Sequence, residues 1–288
     1  MRWTRRELLH AGVGVGLAAW AVPAAGAPPR FKIGVTDWNL GRTGKVEALA
    51  LAKSLGFEGV QVSIGRGGKE QPKALPLADR ALQQAYLDES KRLGFPIASL
   101  CLDILHRNYL KNDPLGQRWV AESIPIASAL GVKVILLPFF GKGALETRAE
   151  MDYVADALRE VAPAAEKAGV VLGLEDTISA KDNVYIMERS KSPAVLTYYD
   201  VGNSTRQNFN VIEEIRWLGR DRICEMHLKD NPHYLGEGTI DFPGVIRAMA
   251  DIGFSEWAHL ETENPSKSVE ADMRRNLAFI RERMKAVS

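Results

Sequence analysis

Apolar residues along the chain fall into short runs and longer amphipathic stretches, with a glycine between the two. The unit is a helix-like stretch, a glycine, an aromatic or β-branched residue and an apolar run, as in AKSLGFEGVQVSI and AEKAGVVLGLEDT. The glycines at 56, 94, 131 and 169 are 37 or 38 residues apart, and another follows at 253. Glycine readily adopts the left-handed conformation that ends a helix, so each repeat predicts a helix that turns directly into a strand.

The pattern predicts eight strands and eight helices. The strands fall at about 32–37, 59–64, 97–102, 133–138, 170–175, 195–200, 223–228 and 257–262. The helices fall at about 44–55, 78–93, 115–130, 147–168, 180–190, 209–218, 243–252 and 268–285. Eight right-handed strand–helix units in about 260 residues match a closed (β/α)₈ TIM barrel. An open doubly wound sheet is the alternative, but GVTDWNLGRTG after the first strand lacks the GxGxxG spacing.

Residues 28–288 are predicted to form one domain, because no linker or low-complexity segment divides them. The Pro- and Gly-rich segment 63–79 is predicted to be a long loop after the second strand. Loops that follow the strands lie on the face where a barrel carries its function.

Composition and charge narrow the class of protein. The chain has 288 residues, 46% of them hydrophobic and 25% charged, which is enough to bury a large core. The formal net charge is only +1. A near-neutral protein offers little electrostatic attraction to nucleic acid, so we predict no nucleic-acid partner.

Residues 1–27 have the composition of a targeting segment. TRRELL at 4–9 precedes the uncharged AGVGVGLAAWAV and a small-residue run at 24–27. This resembles a twin-arginine export signal. It predicts cleavage near 24–27, the twin-arginine export machinery as a partner, and a periplasmic or other extracytoplasmic location. A membrane anchor is the alternative, although 11–27 is Gly-rich and short of the roughly 20 apolar residues that span a bilayer.

The chain contains two cysteines, Cys101 and Cys224, each inside a predicted strand. In a closed barrel the third and seventh strands lie across the structure from each other, whereas a disulfide needs Cα atoms within about 7 Å. We therefore predict two buried, unpaired thiols.

Four successive predicted strands end in residues that can bind a metal. These are Glu175, Asp200, His227 and Glu261. The carboxyl ends of barrel strands converge on one pocket, so we predict that the four side chains meet. Three carboxylates and one imidazole suit Mn²⁺, which we favour, with Mg²⁺, Co²⁺ or Zn²⁺ as alternatives. Taken singly, Asp200 also fits a helix cap.

The segments around these residues resemble the sugar phosphate isomerase/epimerase superfamily, whose members have a xylose isomerase-like barrel. The segments are GLEDT, YYDVGN, EMHLKD with the following GEGTIDF, and HLETEN. The resemblance covers 28–288 and implies that Glu175, Asp200, His227 and Glu261 hold one divalent metal. It also implies that Glu175 and Glu261 act as acid and base.

Two glutamates on opposite faces of a sugar can remove a proton next to a carbonyl and return one. A metal stabilises the enediolate formed between these steps. Return of the proton to the other face gives epimerisation, return to the neighbouring carbon gives isomerisation, and departure of a β-substituent gives elimination.

The chain departs from its relatives at two positions. Many ketose epimerases of this superfamily carry His three residues after the ligand Asp and Arg six after the ligand His. Here these positions hold Asn203 and His233. Related trinuclear zinc endonucleases need more histidines than the four outside the leader, at 106, 227, 233 and 259.

Six residues are predicted to contact the substrate: Trp38, His106, Phe139, Asn203, Lys229 and His233. Each also has a structural interpretation. For Lys229 it is an ion pair with Glu225 on the same face of the strand. His259 is predicted to be a core residue that supports the site.

The sequence thus predicts an exported, metal-dependent isomerase or epimerase acting on an unphosphorylated sugar, keto-sugar or cyclitol. A lyase or dehydratase acting on a 3-keto-glycoside or inosose by the same enolate step is one alternative. A metal-dependent sugar-binding protein without turnover is another. A homo-oligomer is compatible with all three.

Overall fold

Eight parallel strands close into a barrel in the computed structural model, which describes residues 31–68 and 70–287. The strands are β1 (Lys32–Thr36), β2 (Gly59–Ser63), β3 (Ile97–Cys101), β4 (Val134–Pro138), β5 (Val171–Glu175), β6 (Val195–Asp200), β7 (Ile223–Leu228) and β8 (Trp257–Leu260). Strand β8 pairs with β1, with Lys32 opposite Trp257 and Val35 opposite Leu260. This pairing confirms the predicted single-domain TIM barrel and rules out the open sheet.

Nine α-helices surround the strands in the described ranges, one more than the pattern predicts. They are α1 (Glu47–Leu55), α2 (Arg80–Leu93), α3 (Pro114–Leu130), α4 (Arg148–Ala168), α5 (Ala180–Ser190), α6 (Val201–Arg206), α7 (Val211–Leu218), α8 (Phe242–Asp251) and α9 (Val269–Ala286). The prediction of one helix before β7 was wrong. Asp200 accepts the N–H of Asn203 at 2.8 Å and starts the short helix α6 directly at the end of β6.

The repeated glycines end helices as predicted. Those at 56, 94, 131 and 169 follow α1 to α4 with φ between 57° and 97°. Only a residue without a side chain adopts this conformation at low cost. The chain can therefore leave each helix and enter the next strand within a few residues.

The apolar core lies between the strands and the surrounding helices. Cys101 and Cys224 are buried and free, as predicted. Both cysteines pack with Tyr198 and Leu136 in a small cluster inside the barrel. Among residues 31–68 and 70–287, no helix combines the length and apolarity needed to cross a bilayer.

Candidate metal centre and its cavity

The four predicted metal ligands meet at the carboxyl end of the barrel. Glu175 and Asp200 end β5 and β6, His227 lies near the end of β7, and Glu261 directly follows β8. One ligand atom from each lies within 4.8 Å of those of the other three. Glu175, Asp200 and His227 are buried and Glu261 is half-buried. The prediction that these four side chains meet at the carboxyl ends of the strands is therefore confirmed.

The imidazole of His227 is held with one nitrogen facing the carboxylates. Its Nε2 donates to Oε1 of Gln61 at 2.7 Å. Gln61 is fixed in turn, because its amide nitrogen donates to Ser99 Oγ at 3.0 Å and to the Tyr198 hydroxyl at 3.1 Å. The Nδ1 of His227 is left facing Glu175 at 2.9 Å. Anchoring one ring nitrogen in this way is how proteins orient a metal-binding histidine.

The donor set fits a divalent cation. The Nδ1 of His227 lies 3.5 Å from Glu261 and 3.6 Å from Asp200, so three carboxylates surround one imidazole nitrogen. Such a concentration of negative charge attracts cations, and the ammonium of Lys229 already lies against two of the three carboxylates. Oxygen-rich sites with one imidazole suit Mn²⁺, Mg²⁺ or Co²⁺.

The pKa values reflect this crowding. Burial raises the pKa of Glu175 to about 7, although His227 beside it acts in the opposite direction. Burial alone lowers the pKa of His227, but Glu175 and Glu261 raise it to about 10. Burial opposes ionisation of Asp200, yet the ammonium of Lys229 holds its pKa below the ordinary range.

Lys229 points into the site. Its Nζ lies 2.8 Å from Oδ2 of Asp200 and 2.5 Å from Oε2 of Glu261. The alternative ion pair with Glu225 is wrong. Glu225 lies instead against His259, with 3.5 Å between its Oε2 and Nδ1 of that ring. The amine of Lys229 is thus placed beside two of the candidate metal ligands.

Two further predicted residues hold the glutamates in position. The indole N–H of Trp38 donates to Oε1 of Glu261 at 3.0 Å. The amide of Asn203 donates to Oε1 of Glu175 at 3.3 Å. Asn203 therefore touches an acid/base candidate directly, in the position where many relatives have histidine.

A cavity of about 900 Å³ opens from the centre. Trp38, His106, Asn203 and Lys229 line it, together with Glu175 and Glu261. His259 lies below the site, fully buried, and its Nδ1 is 2.9 Å from the Tyr198 hydroxyl. It supports the barrel interior, as predicted.

Two predicted contacts lie elsewhere. Phe139 is in the core at 1% exposure, and its N–H donates to the Glu175 carbonyl at 2.8 Å. Side chains alternate along an extended segment, so Pro138 and Phe140 line the cavity while Phe139 points away. His233 is exposed, in a turn that pairs with Asp230. Neither Phe139 nor His233 therefore lines the cavity in which the substrate contacts were predicted.

Sequence reasoning missed Gln61 and selected Phe139 in place of its neighbour Phe140. Gln61 is a polar residue within the otherwise mostly apolar strand GVQVS, and this irregularity was an available signal. Phe140 adjoins Phe139 in the sequence. Only the orientation of the extended segment shows which of the two side chains faces the cavity.

Comparisons with known proteins agree with this geometry. The model of the family described as "Xylose isomerase-like TIM barrel" matches residues 49–283. The chain is 29% identical to a 2-epi-5-epi-valiolone 7-phosphate 2-epimerase of Actinoplanes sp., over 73% of this chain and 76% of that protein.

Two solved structures share the fold. A structure of L-ribulose 3-epimerase superposes with a TM-score of 0.72 and 18% identity, covering 89% of this chain and 95% of that one. A 3-keto-D-glucoside 4-epimerase from Escherichia coli superposes with a TM-score of 0.70 and 17% identity, covering 88% and 100%.

Proposed function

Because the chain belongs to the xylose isomerase-like TIM barrel family, we propose that it is a divalent-metal-dependent isomerase or epimerase of a keto-sugar or cyclitol. The observation that carries the proposal is the convergence of Glu175, Asp200, His227 and Glu261 within 4.8 Å at the floor of the cavity. The relatives named above are epimerases of sugars or of related cyclic polyols, which supports the same class.

Glu175, Asp200, His227 and Glu261 would hold the metal. When bound, the cation supplies a Lewis acid that stabilises negative charge on the substrate oxygens. The remaining chemistry belongs to the side chains of this chain.

Glu175 and Glu261 are the proton-transfer groups. One takes the proton from the carbon next to the carbonyl, which leaves an enediolate, and the other returns a proton on the opposite face. Trp38 and Asn203 keep the two carboxylates in their orientations through single hydrogen bonds.

Lys229 would bind a substrate oxygen. Its ammonium is nearly buried and lies beside Asp200 and Glu261. A positive charge there favours an oxygen that becomes negative as the enediolate forms.

The test is hydrogen exchange in D₂O. The full chain is stripped with a chelator, reloaded separately with Mn²⁺, Mg²⁺, Co²⁺ or Zn²⁺, and incubated with a panel of ketoses, 3-keto-hexoses and inososes. We expect deuterium at the carbon next to the carbonyl for at least one substrate, detected by mass spectrometry and NMR. No incorporation with any metal across the panel contradicts the proposal.

Substitution of the two glutamates identifies their role. Glu175→Gln and Glu261→Gln should lower exchange by roughly 10²–10⁴-fold, because each removes a proton-transfer group while keeping the shape of the side chain. Glu263→Gln, directly beyond the site, is the matched control and should exchange like the parent protein. If sugar binds tightly and Glu175→Gln behaves like the parent protein, the chain is a binding protein without turnover.

Elimination is the second candidate. The same proton removal leads to a lyase or dehydratase when a β-substituent leaves. The lining residues Ile64 and Phe140 extend the cavity beyond the candidate metal ligands, which leaves room for a departing substituent. A released aglycone or water, together with an unsaturated product, identifies the lyase in the same experiment.

A further inference from the structure

The cavity is larger than one sugar requires. A hexose displaces roughly the volume of six water molecules, about 180 Å³ at ~30 Å³ each. The cavity measures about 900 Å³, near the upper end of the ~300–1,000 Å³ typical of pockets for drug-sized ligands. A single sugar ring therefore fills about a fifth of it.

Part of the cavity wall lies across the barrel from the candidate metal ligands. The ligands come from β5 to β8, whereas the opposite wall comes from segments that follow β2, β3 and β4. We call this part of the cavity the distal arm and define it by six residues: Ile64, Pro76, Leu77, Leu82, His106 and Phe140. The distal arm contains none of the four candidate metal ligands.

The walls of the distal arm are largely apolar. Ile64 and Leu77 are buried, and Pro76 and Leu82 are half-buried. Pro76 and Leu82 carry the apolar surface that would lose contact with water when a ring covered it, because Ile64 and Leu77 are each only 1% exposed already. Burial of apolar area on both partners is favourable at about 25 cal/mol per Å².

Two aromatic rings stand together in the distal arm. The rings of His106 and Phe140 are stacked, with centroids 6.0 Å apart and planes inclined by 28°. Both are half-buried and line the cavity. Flat aromatic side chains present a face on which another ring can pack.

The charges in this region favour an uncharged ligand. Arg66 pairs with Asp103 at 3.4 Å, so these two charges compensate each other. Burial and the nearby Arg66 lower the pKa of His106 to about 4, so its imidazole is neutral at physiological pH.

We propose that the distal arm binds a second ring carried by the sugar, so that the substrate is a glycoside rather than a free monosaccharide. This rests on the proposed function, because it assumes that the sugar reacts between Glu175 and Glu261. The second ring packs on Phe140 and His106 over the floor of Ile64 and Leu77. Its source is an aromatic aglycone or a second sugar, since both are uncharged rings with a face that stacks.

The experiment compares substrates that differ only in this ring. A 3-keto-hexose has its carbonyl away from the anomeric carbon, so it can be tested free and as its methyl glycoside, phenyl glycoside and glucosyl disaccharide. Deuterium exchange by the metal-loaded full chain gives KM and kcat for each. We expect KM for the phenyl glycoside or for the disaccharide to be about tenfold lower than for the methyl glycoside. Whichever of these two shows the lower KM identifies the source of the ring.

Two variants assign the effect to the distal arm. Phe140→Ala should raise KM for the preferred glycoside about tenfold and leave KM for the free 3-keto-hexose within about twofold. Phe140→Tyr keeps the ring and should match the parent protein on both substrates. Circular dichroism and thermal melting establish that each variant is folded. The KM values of the different substrates are compared on the parent protein, so that comparison does not depend on any variant.

The outcomes separate this inference from the function on which it rests. Equal KM values for the methyl, phenyl and glucosyl compounds, or an equal effect of Phe140→Ala on free sugar and glycoside, overturn the second-ring site while exchange itself continues. Absence of exchange with every substrate overturns the proposed function and the inference with it.

Discussion

At the scale of single residues, Gln61 orients the imidazole that faces the carboxylates. It accepts from Nε2 of His227 at 2.7 Å and is itself fixed by Ser99 and Tyr198. The ring of His227 is therefore oriented before any cation arrives. This preorganisation would add to the affinity for a metal, because little freedom of the imidazole would be lost on binding.

Replacement of this glutamine should weaken metal binding. We expect Gln61→Leu to raise the metal dissociation constant roughly 10–100-fold, as is typical when the partner of a ligating histidine is lost. Competition with a fluorescent chelator measures this dissociation constant. Gln83→Leu is the control, since Gln83 is also buried but bonds to the Leu77 carbonyl and not to a candidate metal ligand. Unchanged affinity in Gln61→Leu would show that Gln61 only packs.

Asp37 is predicted to make the stability of the fold depend on pH. This side chain is fully buried, and burial raises its pKa to about 7 although the N–H groups of Gly44 and Ser63 bond to it. In the unfolded chain it ionises near its ordinary pKa of 3.8. Between about pH 4 and 7 the folded state thus holds more protons, so stability falls as the pH rises. The full effect is about 4 kcal/mol.

Asp37→Asn should reduce this dependence on pH. We expect the fall in unfolding free energy between about pH 4.5 and 7.5 to be smaller by a few kcal/mol than in the parent protein. Urea titrations at both pH values measure the unfolding free energy of each protein. Asp221→Asn, on an exposed turn, controls for the loss of one carboxylate. The same slope in Asp37→Asn and in the parent protein would show that Asp37 is not the group responsible.

At the scale of elements, the closure of the barrel depends on a glycine. Gly34 on β1 lies opposite His259 on β8. A Cβ at Gly34 would lie 2.3 Å from Cδ2 of that imidazole. The missing side chain makes room for His259 in the barrel interior, so the last and first strands can pair.

Gly34→Ala should destabilise the fold by about 1–3 kcal/mol or more, the usual range for overpacking. Urea unfolding measures the change. Gly68→Ala is the matched control, because a Cβ there meets nothing within 4 Å. Equal stability of the two variants would mean that His259 moves aside at no cost.

The limits of the strands and helices show which elements the local sequence pattern predicts and which it does not. Strands β6 and β7 have the predicted limits, Val195–Asp200 and Ile223–Leu228. The pattern failed between them, because α6 holds only six residues and its start is set by one hydrogen bond that Asp200 accepts from the N–H of Asn203. A helix of this length is too short to show a period.

At the scale of the whole molecule, we propose that residues 1–27 direct export of the folded chain. Twin-arginine export carries folded proteins, so the metal would be loaded in the cytoplasm, away from competition by tighter-binding copper. The proposal rests on sequence, since these residues lie outside the described ranges.

The leader can be tested in a bacterium that has the twin-arginine system. The double variant Arg5→Lys, Arg6→Lys should keep a C-terminally tagged chain in the cytoplasm, because the arginine pair is the feature the machinery recognises. Arg2→Lys is the control and should reach the periplasm. Export of the double variant, or a leader retained in the membrane, would contradict the proposal.

The sequence by itself determined the closed barrel, the helix-ending glycines and the four residues of the metal centre. Glycine spacing and apolar periodicity are local, and residues at successive strand ends must converge once the barrel closes. Tertiary structure alone decided that Gln61 anchors His227, that Lys229 pairs with Asp200 and Glu261, and that Phe140 rather than Phe139 lines the cavity. These contacts join residues far apart in the chain, and they depend on strand stagger and side-chain direction, which no local pattern records.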